Sequence, residues 1–209
     1  MMSRRQRAGV IGLCLLIAAV FIYLDHSSTS SRRQGQSKSS DQTKSRDIEK
    51  YDGRTFTVVK AVDGDTIDIN SPDCNKYYTR IRLWGVDTPE TKSPKVAVMY
   101  FGPEASEFTK GLVFQKKVCV YLDETNGTRD KYGRLLAYIQ TGDSRFLNEV
   151  LLSEGYAYAD LRFKHKFYNK YQQLEAGARR EKKGLWKGVS REQLPEWLQR
   201  KKPKLLLKK

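Results

Sequence analysis

The chain has 209 residues, 39% hydrophobic and 30% charged, with a formal net charge of +15. This length accommodates one domain with flanking segments, because domains commonly contain about 100–200 residues. Most of the excess charge lies at the ends: residues 1–50 carry +5 and residues 187–209 carry +6, against +4 for residues 51–186. A basic chain attracts nucleic acid or an anionic membrane surface, and composition does not choose between them.

The N-terminus has the pattern of a membrane-inserting segment. Residues 1–7 are a basic region, and residues 8–24 are 17 residues without a charge. Spanning a bilayer takes roughly 17–25 residues, whereas a signal-peptide core has about 7–15. We therefore expect an uncleaved transmembrane anchor, with a cleaved signal peptide and secretion as the alternative. The preceding arginines predict a cytoplasmic N-terminus and an extracytoplasmic domain, or a mitochondrial membrane in a eukaryote.

Two further segments flank the predicted folded domain, residues 51–187. Residues 25–50 are rich in Ser, Gln, Lys and Arg, so they bury too little apolar surface to offset chain entropy and predict a flexible linker. Residues 188–209 form a basic tail with one predicted helix around Glu192–Lys201. We interpret the tail as solvated, with binding to nucleic acid or anionic lipid as the alternative.

Five segments rich in β-branched and aromatic residues predict strands separated by turns. They are Thr55–Val62, Thr66–Ile69, Tyr77–Trp84, Val118–Leu122 and Arg134–Ile139. Asp63-Gly64 predicts the tight turn of a hairpin between the first two. Three helices are predicted: one opened by Pro103, one capped by Ser144, and one over Phe167–Lys183 that stops at Gly184. The pattern predicts an α+β, mainly β fold, a five-stranded OB-fold barrel with three packed helices.

Charged residues that suit phosphate chemistry occur in three separate fragments. Arg82, Asp87 and Glu90 lie in one stretch, Asp65 about 20 residues before it, and Arg134 about 40 residues after it. Only two histidines occur, so histidine-based catalysis is poorly supplied, and oxygen-rich ligands favour Ca²⁺ or Mg²⁺. Arginines that face a pocket carry a desolvation cost unless an anion binds there. The combination predicts a phosphodiester site.

The fragments, in their order and spacing, resemble the staphylococcal-type thermonuclease family over roughly residues 54–187. The motifs are Asp63–Thr66, Val86–Lys92, Gly102–Ser106 and Asp130–Ile139. The resemblance implies an OB-fold barrel and Ca²⁺-dependent hydrolysis of DNA and RNA to 3′-phosphate products. It also implies a monomer without a small-molecule cofactor, here with an added N-terminal membrane anchor.

The resemblance assigns the metal and catalytic roles to particular residues. Asp65 and Asp87 would bind Ca²⁺ through their carboxylates, and Thr88 through its backbone carbonyl. Glu90 would orient or deprotonate the attacking water.

It assigns the substrate contacts to four more residues. Arg82 and Arg134 would hold the scissile phosphate and stabilise charge that develops in the transition state. Lys131 and Tyr132 would bind the terminal phosphate of the nucleotide.

The sequence departs from the family pattern at Leu161 and Phe163, where the family supplies tyrosines that contact the nucleotide. Base stacking there is therefore weaker or supplied differently. A catalytically silent OB module that binds nucleic acid or protein remains the alternative function. Pairing of Cys74 with Cys119 in an exported domain is also left open.

Overall fold

A computed structural model of the chain describes residues 41–91 and 98–206. The chain divides into two compact units, Met1–Ser45 and Arg46–Lys209, and of the first only residues 41–45 are described. The predicted basic region 1–7, the predicted anchor 8–24 and residues 25–40 of the predicted linker lie outside the described residues.

Seven strands fall in the described ranges, and five of them close a barrel. In chain order they are β1 (Arg54–Ala61), β2 (Thr66–Ile69), β3 (Thr79–Leu83), β4 (Val86–Asp87), β5 (Lys117–Leu122), β6 (Leu135–Gln140) and β7 (Tyr158–Ala159). The barrel order is β1-β2-β3-β6-β5. All neighbours are antiparallel except β3 and β6, which are parallel. The predicted five-stranded OB-fold barrel is confirmed.

Strand β1 closes the barrel because it pairs with both β2 and β5. Its register shifts between Val58 and Lys60, an irregularity of the kind that bends a strand and increases its twist. Alternate residues of the strands point inward, and Val58, Ile67, Ile81 and Ile139 are fully buried. The residues between them on β3 are therefore left on the outer face, where Arg82 lies.

Helices cover the barrel and supply the rest of the core. They are α1 (residues 41–51), α2 (Gly102–Val113), α3 (Leu147–Ser153), α4 (Tyr168–Arg180) and α5 (Glu196–Lys201). The three predicted helices correspond to α2, α3 and α4. Ser144 does not cap α3, which begins after Phe146 without a side-chain cap. Ser144 instead has a φ of +63° in the turn before it.

Part of the predicted linker is helical. Composition favoured a flexible segment through residue 50, but α1 places Tyr51 and Ile48 against the barrel core. On the polar side Asp47, which is 4% exposed, accepts hydrogen bonds from Arg129 at 2.8 and 2.7 Å and from Thr128 at 2.6 Å. Two apolar residues and one carboxylate on the face toward the barrel are enough to hold this helix in place. The average composition of the segment does not reveal them.

The beginning of the predicted basic tail is also folded. After a 3₁₀ turn at Gly184–Lys187 and another at Arg191–Gln193, α5 packs into a second apolar cluster. Leu194, Trp197 and Leu198 are buried there against Tyr158 and Trp186. Trp197 and Leu198 lie on α5 and Leu194 lies just before it, and all three are buried, so the segment is not uniformly solvated.

The predicted membrane location is contradicted. Within the two described ranges, no helix is both long and apolar enough to cross a bilayer. Residues 8–24, on which the prediction rested, lie outside those ranges. On this finding the predicted single-pass arrangement with an extracytoplasmic domain is wrong.

Cys74 and Cys119 are both free thiols. The disulfide that the sequence left open between them is therefore not formed.

Candidate active site

Arg82 is the centre of the site, between two carboxylates. It lies on β3, and its guanidinium places Nη1 2.5 Å from Asp65 Oδ2 and Nη2 2.5 Å from Asp87 Oδ1. The Nη1 contact is an ion pair without hydrogen-bond geometry, whereas Nη2 donates a hydrogen bond. The Arg82 side chain is only 12% exposed, so both ion pairs are largely shielded from water. Folding of the barrel thus joins residues that the sequence separates.

The Asp65 loop is held against the segment that follows β4. The Thr88 N–H donates to Asp65 Oδ2 at 2.8 Å, and the Thr109 hydroxyl of α2 donates to the Gly64 carbonyl at 2.7 Å. A Cβ atom at Gly64 would lie 2.7 Å from Thr88 Oγ1, so only glycine allows this approach. Asp63 accepts the Asp65 N–H at 3.1 Å, as expected of a turn former.

Burial makes the two carboxylates hard to ionise. It raises the pKa of Asp65 to about 6, although the nearby Arg82 charge lowers it. Burial also raises the pKa of Asp87, again with Arg82 opposing and Asp65 adding to the shift. Burial disfavours the charged form of Arg82, but Asp65 and Asp87 outweigh it and raise the Arg82 pKa. Arg82 therefore only partly compensates these two buried acids.

Glu90 lies at the exposed edge of this centre. Partial burial raises its pKa, Asp65 and Asp87 raise it further, and Arg82 and Arg134 lower it. All four charges therefore act on one carboxyl group. Glu90 also lies beside the segment that leads into α2, because the Met99 N–H donates to the Glu90 carbonyl at 2.9 Å.

Arg134 belongs to a more exposed loop with its own internal support. Its Nε donates to Asp130 Oδ2 at 2.7 Å, while Asp130 Oδ1 accepts the N–H groups of Tyr132 and Arg134 at 2.9 and 3.0 Å. Tyr132 is 72% exposed. Lys131 Nζ and Arg134 Cζ lie 5.0 and 5.5 Å from the centre of its ring. The loop presents cationic groups and a phenol at the surface.

Leu161 and Phe163 lie in different surroundings. Leu161 is 9% exposed and packs in the second apolar cluster, so it presents little surface to a nucleotide. Phe163 is 55% exposed and stacks on Trp84 with ring centres 5.9 Å apart. Of the two positions, only Phe163 offers an aromatic face.

Two residues that contact the site were missed by sequence reasoning. Arg162 Nη2 donates to Asp87 Oδ1 at 2.9 Å, and Trp197 Nε1 donates to Asp87 Oδ2 at 2.7 Å. They lie 75 and 110 residues from Asp87 in sequence, and no local motif connects them.

The donor atoms fit a hard divalent cation only in part. In the described ranges, no group of three or more His, Cys, Asp or Glu side chains is arranged to hold a metal ion. Asp65 and Asp87 nevertheless offer buried, incompletely compensated carboxylates, and Thr88 adds a carbonyl. Ca²⁺ takes six to eight oxygen ligands, so water and substrate oxygens would complete its shell. With water and substrate oxygens completing the shell, the oxygen donors of the site fit Ca²⁺.

A closed five-stranded barrel with carboxylates and arginines clustered beside β3 suits an OB-fold enzyme that acts on an anionic substrate. Comparison with protein families gives a match to the model described as staphylococcal nuclease homologue, over residues 80–188. The chain belongs to the staphylococcal nuclease family.

Relatives at 37–38% identity agree with this assignment. The thermonuclease of Staphylococcus hyicus is 37% identical over 144 residues, which cover 68% of this chain and 82% of that protein. The thermonuclease of Staphylococcus intermedius is 38% identical over 141 residues, 64% of this chain and 77% of that protein. The SPbeta prophage-derived endonuclease YokF of Bacillus subtilis (strain 168) is 37% identical over 132 residues, 62% of this chain and 43% of that protein. Together they support a nuclease, a hydrolase.

Proposed function

We propose that the protein is a Ca²⁺-dependent endonuclease that hydrolyses DNA, RNA or both and leaves 3′-phosphate products. The observation that supports this best is the shared electrostatic neighbourhood of Asp65, Arg82, Asp87, Glu90 and Arg134. A site with acidic and basic groups around one exposed carboxyl suits attack by water on an anion.

The two arginines bind and stabilise the phosphate. Negative charge grows on the equatorial oxygens during attack, so fixed guanidinium groups favour the transition state over the ground state. Arg82 has five N–H donors and uses two nitrogens on Asp65 and Asp87, which leaves donors for the substrate. Arg134 approaches from the exposed loop.

Glu90 orients the attacking water and accepts its proton. The raised pKa makes Glu90 a stronger base than an ordinary glutamate, while its exposure leaves it accessible to water. Asp65 and Asp87, with the Thr88 carbonyl, would hold Ca²⁺. When bound, Ca²⁺ supplies Lewis-acid polarisation of a phosphoryl oxygen.

Lys131 and Tyr132 bind the terminal phosphate of the nucleotide. Both project from a loop whose backbone is fixed by Asp130, and Tyr132 is largely exposed. Phe163 provides an aromatic face for a base.

A digestion assay on the full chain tests the proposal. Single-stranded DNA, duplex DNA and RNA are incubated with Ca²⁺, with Mg²⁺ and with chelator. We expect cleavage that requires Ca²⁺, and products that resist 3′-end extension until a phosphatase has treated them. Absence of cleavage under every condition would favour the silent binding module.

The Glu90→Gln variant separates catalysis from binding. Loss of a general base typically costs about 10²–10⁴-fold in rate, with little change in the thermal midpoint for an exposed residue. Glu104→Gln, an exposed glutamate in the first turn of α2, is the matched control and should cleave like the parent. A Glu90→Gln variant as active as Glu104→Gln would refute the role of Glu90.

A further inference from the structure

Asp87 is held by residues on both sides of the limit of the family match. The match ends at residue 188, and Trp197 lies beyond it on α5. The Trp197 indole is 8% exposed and donates its N–H to Asp87 Oδ2 at 2.7 Å. A residue outside the matched region therefore contacts a proposed ligand of the metal directly.

Arg162 completes the grip on the same carboxylate. Its Nη2 lies 2.9 Å from Asp87 Oδ1, and its Cζ lies 4.8 Å from the centre of the Trp197 ring. Asp160 fixes the guanidinium in turn, with Oδ1 2.9 Å from Nε and Oδ2 2.8 Å from Nη2. Arg162 thus links the carboxylate to the indole that approaches it from the other side.

Counting lone pairs shows what these contacts do to Asp87. A carboxylate has about four acceptor positions, two on each oxygen. Arg82 and Arg162 occupy Oδ1, and Trp197 occupies one position on Oδ2. One position remains, on Oδ2, and the indole N–H determines the direction in which it points.

The support behind Trp197 is rigid. Leu194 and Leu198 on the same segment are 2% and 0% exposed, and they pack in the second apolar cluster with Tyr158. Tyr158 pairs with Asp87 in the two-stranded sheet of β4 and β7. The cluster therefore fixes the backbone of Asp87 and the indole that contacts its side chain.

We propose that Trp197 and Arg162 are positioning residues for Asp87, and that α5 is thereby part of the active site. The indole N–H directs the free lone pair of Asp87 Oδ2 toward the cation. Arg162 holds the carboxylate and the indole in a fixed relative position. This inference rests on the proposed function, because it concerns the same Ca²⁺ ligand.

The test compares two tryptophans of one cluster. Trp197→Phe removes the N–H that donates to Asp87, and Trp186→Phe removes an N–H without a partner in the described residues. Trp186 is 6% exposed, so both changes shrink a buried indole in the same cluster. Ca²⁺ binding to the full chain is measured by calorimetry without nucleic acid, beside the thermal midpoint in chelator.

We expect Trp197→Phe to weaken Ca²⁺ binding by about 10–100-fold, the usual cost of losing a residue that orients a metal ligand. The Ca²⁺ affinity of Trp186→Phe should stay within about twofold of that of the parent, because the lost N–H does not orient a proposed metal ligand. In cleavage assays kcat at saturating Ca²⁺ should largely recover in Trp197→Phe. Equal Ca²⁺ affinities for both variants would overturn the inference.

Arg162→Lys provides a second variant if Trp197→Phe does not fold. Lysine keeps the positive charge but cannot reproduce the forked contacts to Asp87 and Asp160. We expect weaker Ca²⁺ binding although the net charge is unchanged, and parent-like binding would overturn the inference. Absence of both Ca²⁺ binding and cleavage in the parent would instead refute the proposed function and this inference with it.

Discussion

The two arginines proposed to grip the phosphate lie in opposite surroundings. Arg82 is 12% exposed between Asp87, five residues later in the chain, and Asp65, which comes from the separate fragment before β2. Arg134 is 29% exposed, and its ion-pair partner Asp130 is four residues away. The buried half of the site is assembled by tertiary folding, whereas the exposed half is organised within one loop.

Because of this difference, substitutions in the two halves should affect stability and activity differently. A charge removed from the buried half leaves its partners desolvated and unpaired, so folding and catalysis should both suffer. A charge removed from the exposed loop is replaced by water, so only catalysis should suffer. Variants in the two halves therefore test the comparison directly.

Arg82→Met should have the largest effect. It leaves Asp65 and Asp87 buried without their shared cation, which costs about 3–5 kcal/mol in the free energy of unfolding. Loss of the phosphate contact adds a fall in kcat of about 10³-fold or more. Denaturant unfolding in chelator and cleavage kinetics measure the two effects.

Arg80→Met is the control for that change. Arg80 lies on the same strand and pairs with buried Asp68 at 2.7 Å. It should lower stability while the activity of the folded fraction stays at the parent level. If Arg80→Met lost as much activity as Arg82→Met, the loss would reflect strand damage rather than a phosphate contact.

Arg134→Met should reduce kcat by about 10²–10³-fold. Because its ion pair is partly exposed, the free energy of unfolding should change by less than about 1 kcal/mol. Arg145→Met is the matched control, since Arg145 pairs with Asp143 in an exposed turn. A stability loss for Arg134→Met comparable to that of Arg82→Met would remove the distinction between the two halves.

The pH dependence of stability should carry the signature of the buried half. The pKa of Asp65 rises on folding from 3.8 to about 6, so the folded state binds more protons between these values. Without Ca²⁺, the free energy of unfolding of the protein should therefore fall as pH rises through this window. Asp65 should account for up to about 3 kcal/mol of this fall. Asp65→Asn removes that contribution.

Urea unfolding at pH 4 and pH 7 in chelator measures the change for the parent and Asp65→Asn. The comparison uses the difference between the two pH values, because the variant also loses its ion pair with Arg82. Equal differences in both proteins would contradict the raised pKa.

Tyr132→Phe should have the smallest effect. It removes one hydroxyl at a 72% exposed position, so KM should rise by up to about tenfold with kcat nearly unchanged. Tyr77→Phe, at a 94% exposed position, should leave KM at the parent value. A change in thermal midpoint for Tyr132→Phe would mean that this residue contributes to stability, as residues of the buried half do.

The Asp130–Ile139 motif was recognised from sequence, although Arg134, predicted to begin the fifth strand, lies in the loop before β6. Asp130 and Arg134 are four residues apart, and the loop folds on its own hydrogen bonds. The barrel strands were also readable, since alternation at a period of two is a local property. The motifs around Asp65, Arg82 and Asp87 indicated the family, and these three side chains contact one another beside β3.

The packing of α1 and α5 could not be predicted from local sequence pattern. Asp47 of α1 pairs with Arg129 from 82 residues away, and Trp197 reaches Asp87 across 110 residues. Average composition made both segments resemble solvated chain, because a few apolar residues on one face carry their packing.

The sequence by itself determined the positions of the five barrel strands, the family and the residue types of the site, because these depend on short-range pattern and motif. Only the tertiary structure decided which charges share one buried space, how far burial raises the pKa values of Asp65, Asp87 and Glu90, and that the indole of Trp197 meets Asp87. Desolvation and long-range contacts depend on three-dimensional distance, which spacing along the chain does not specify.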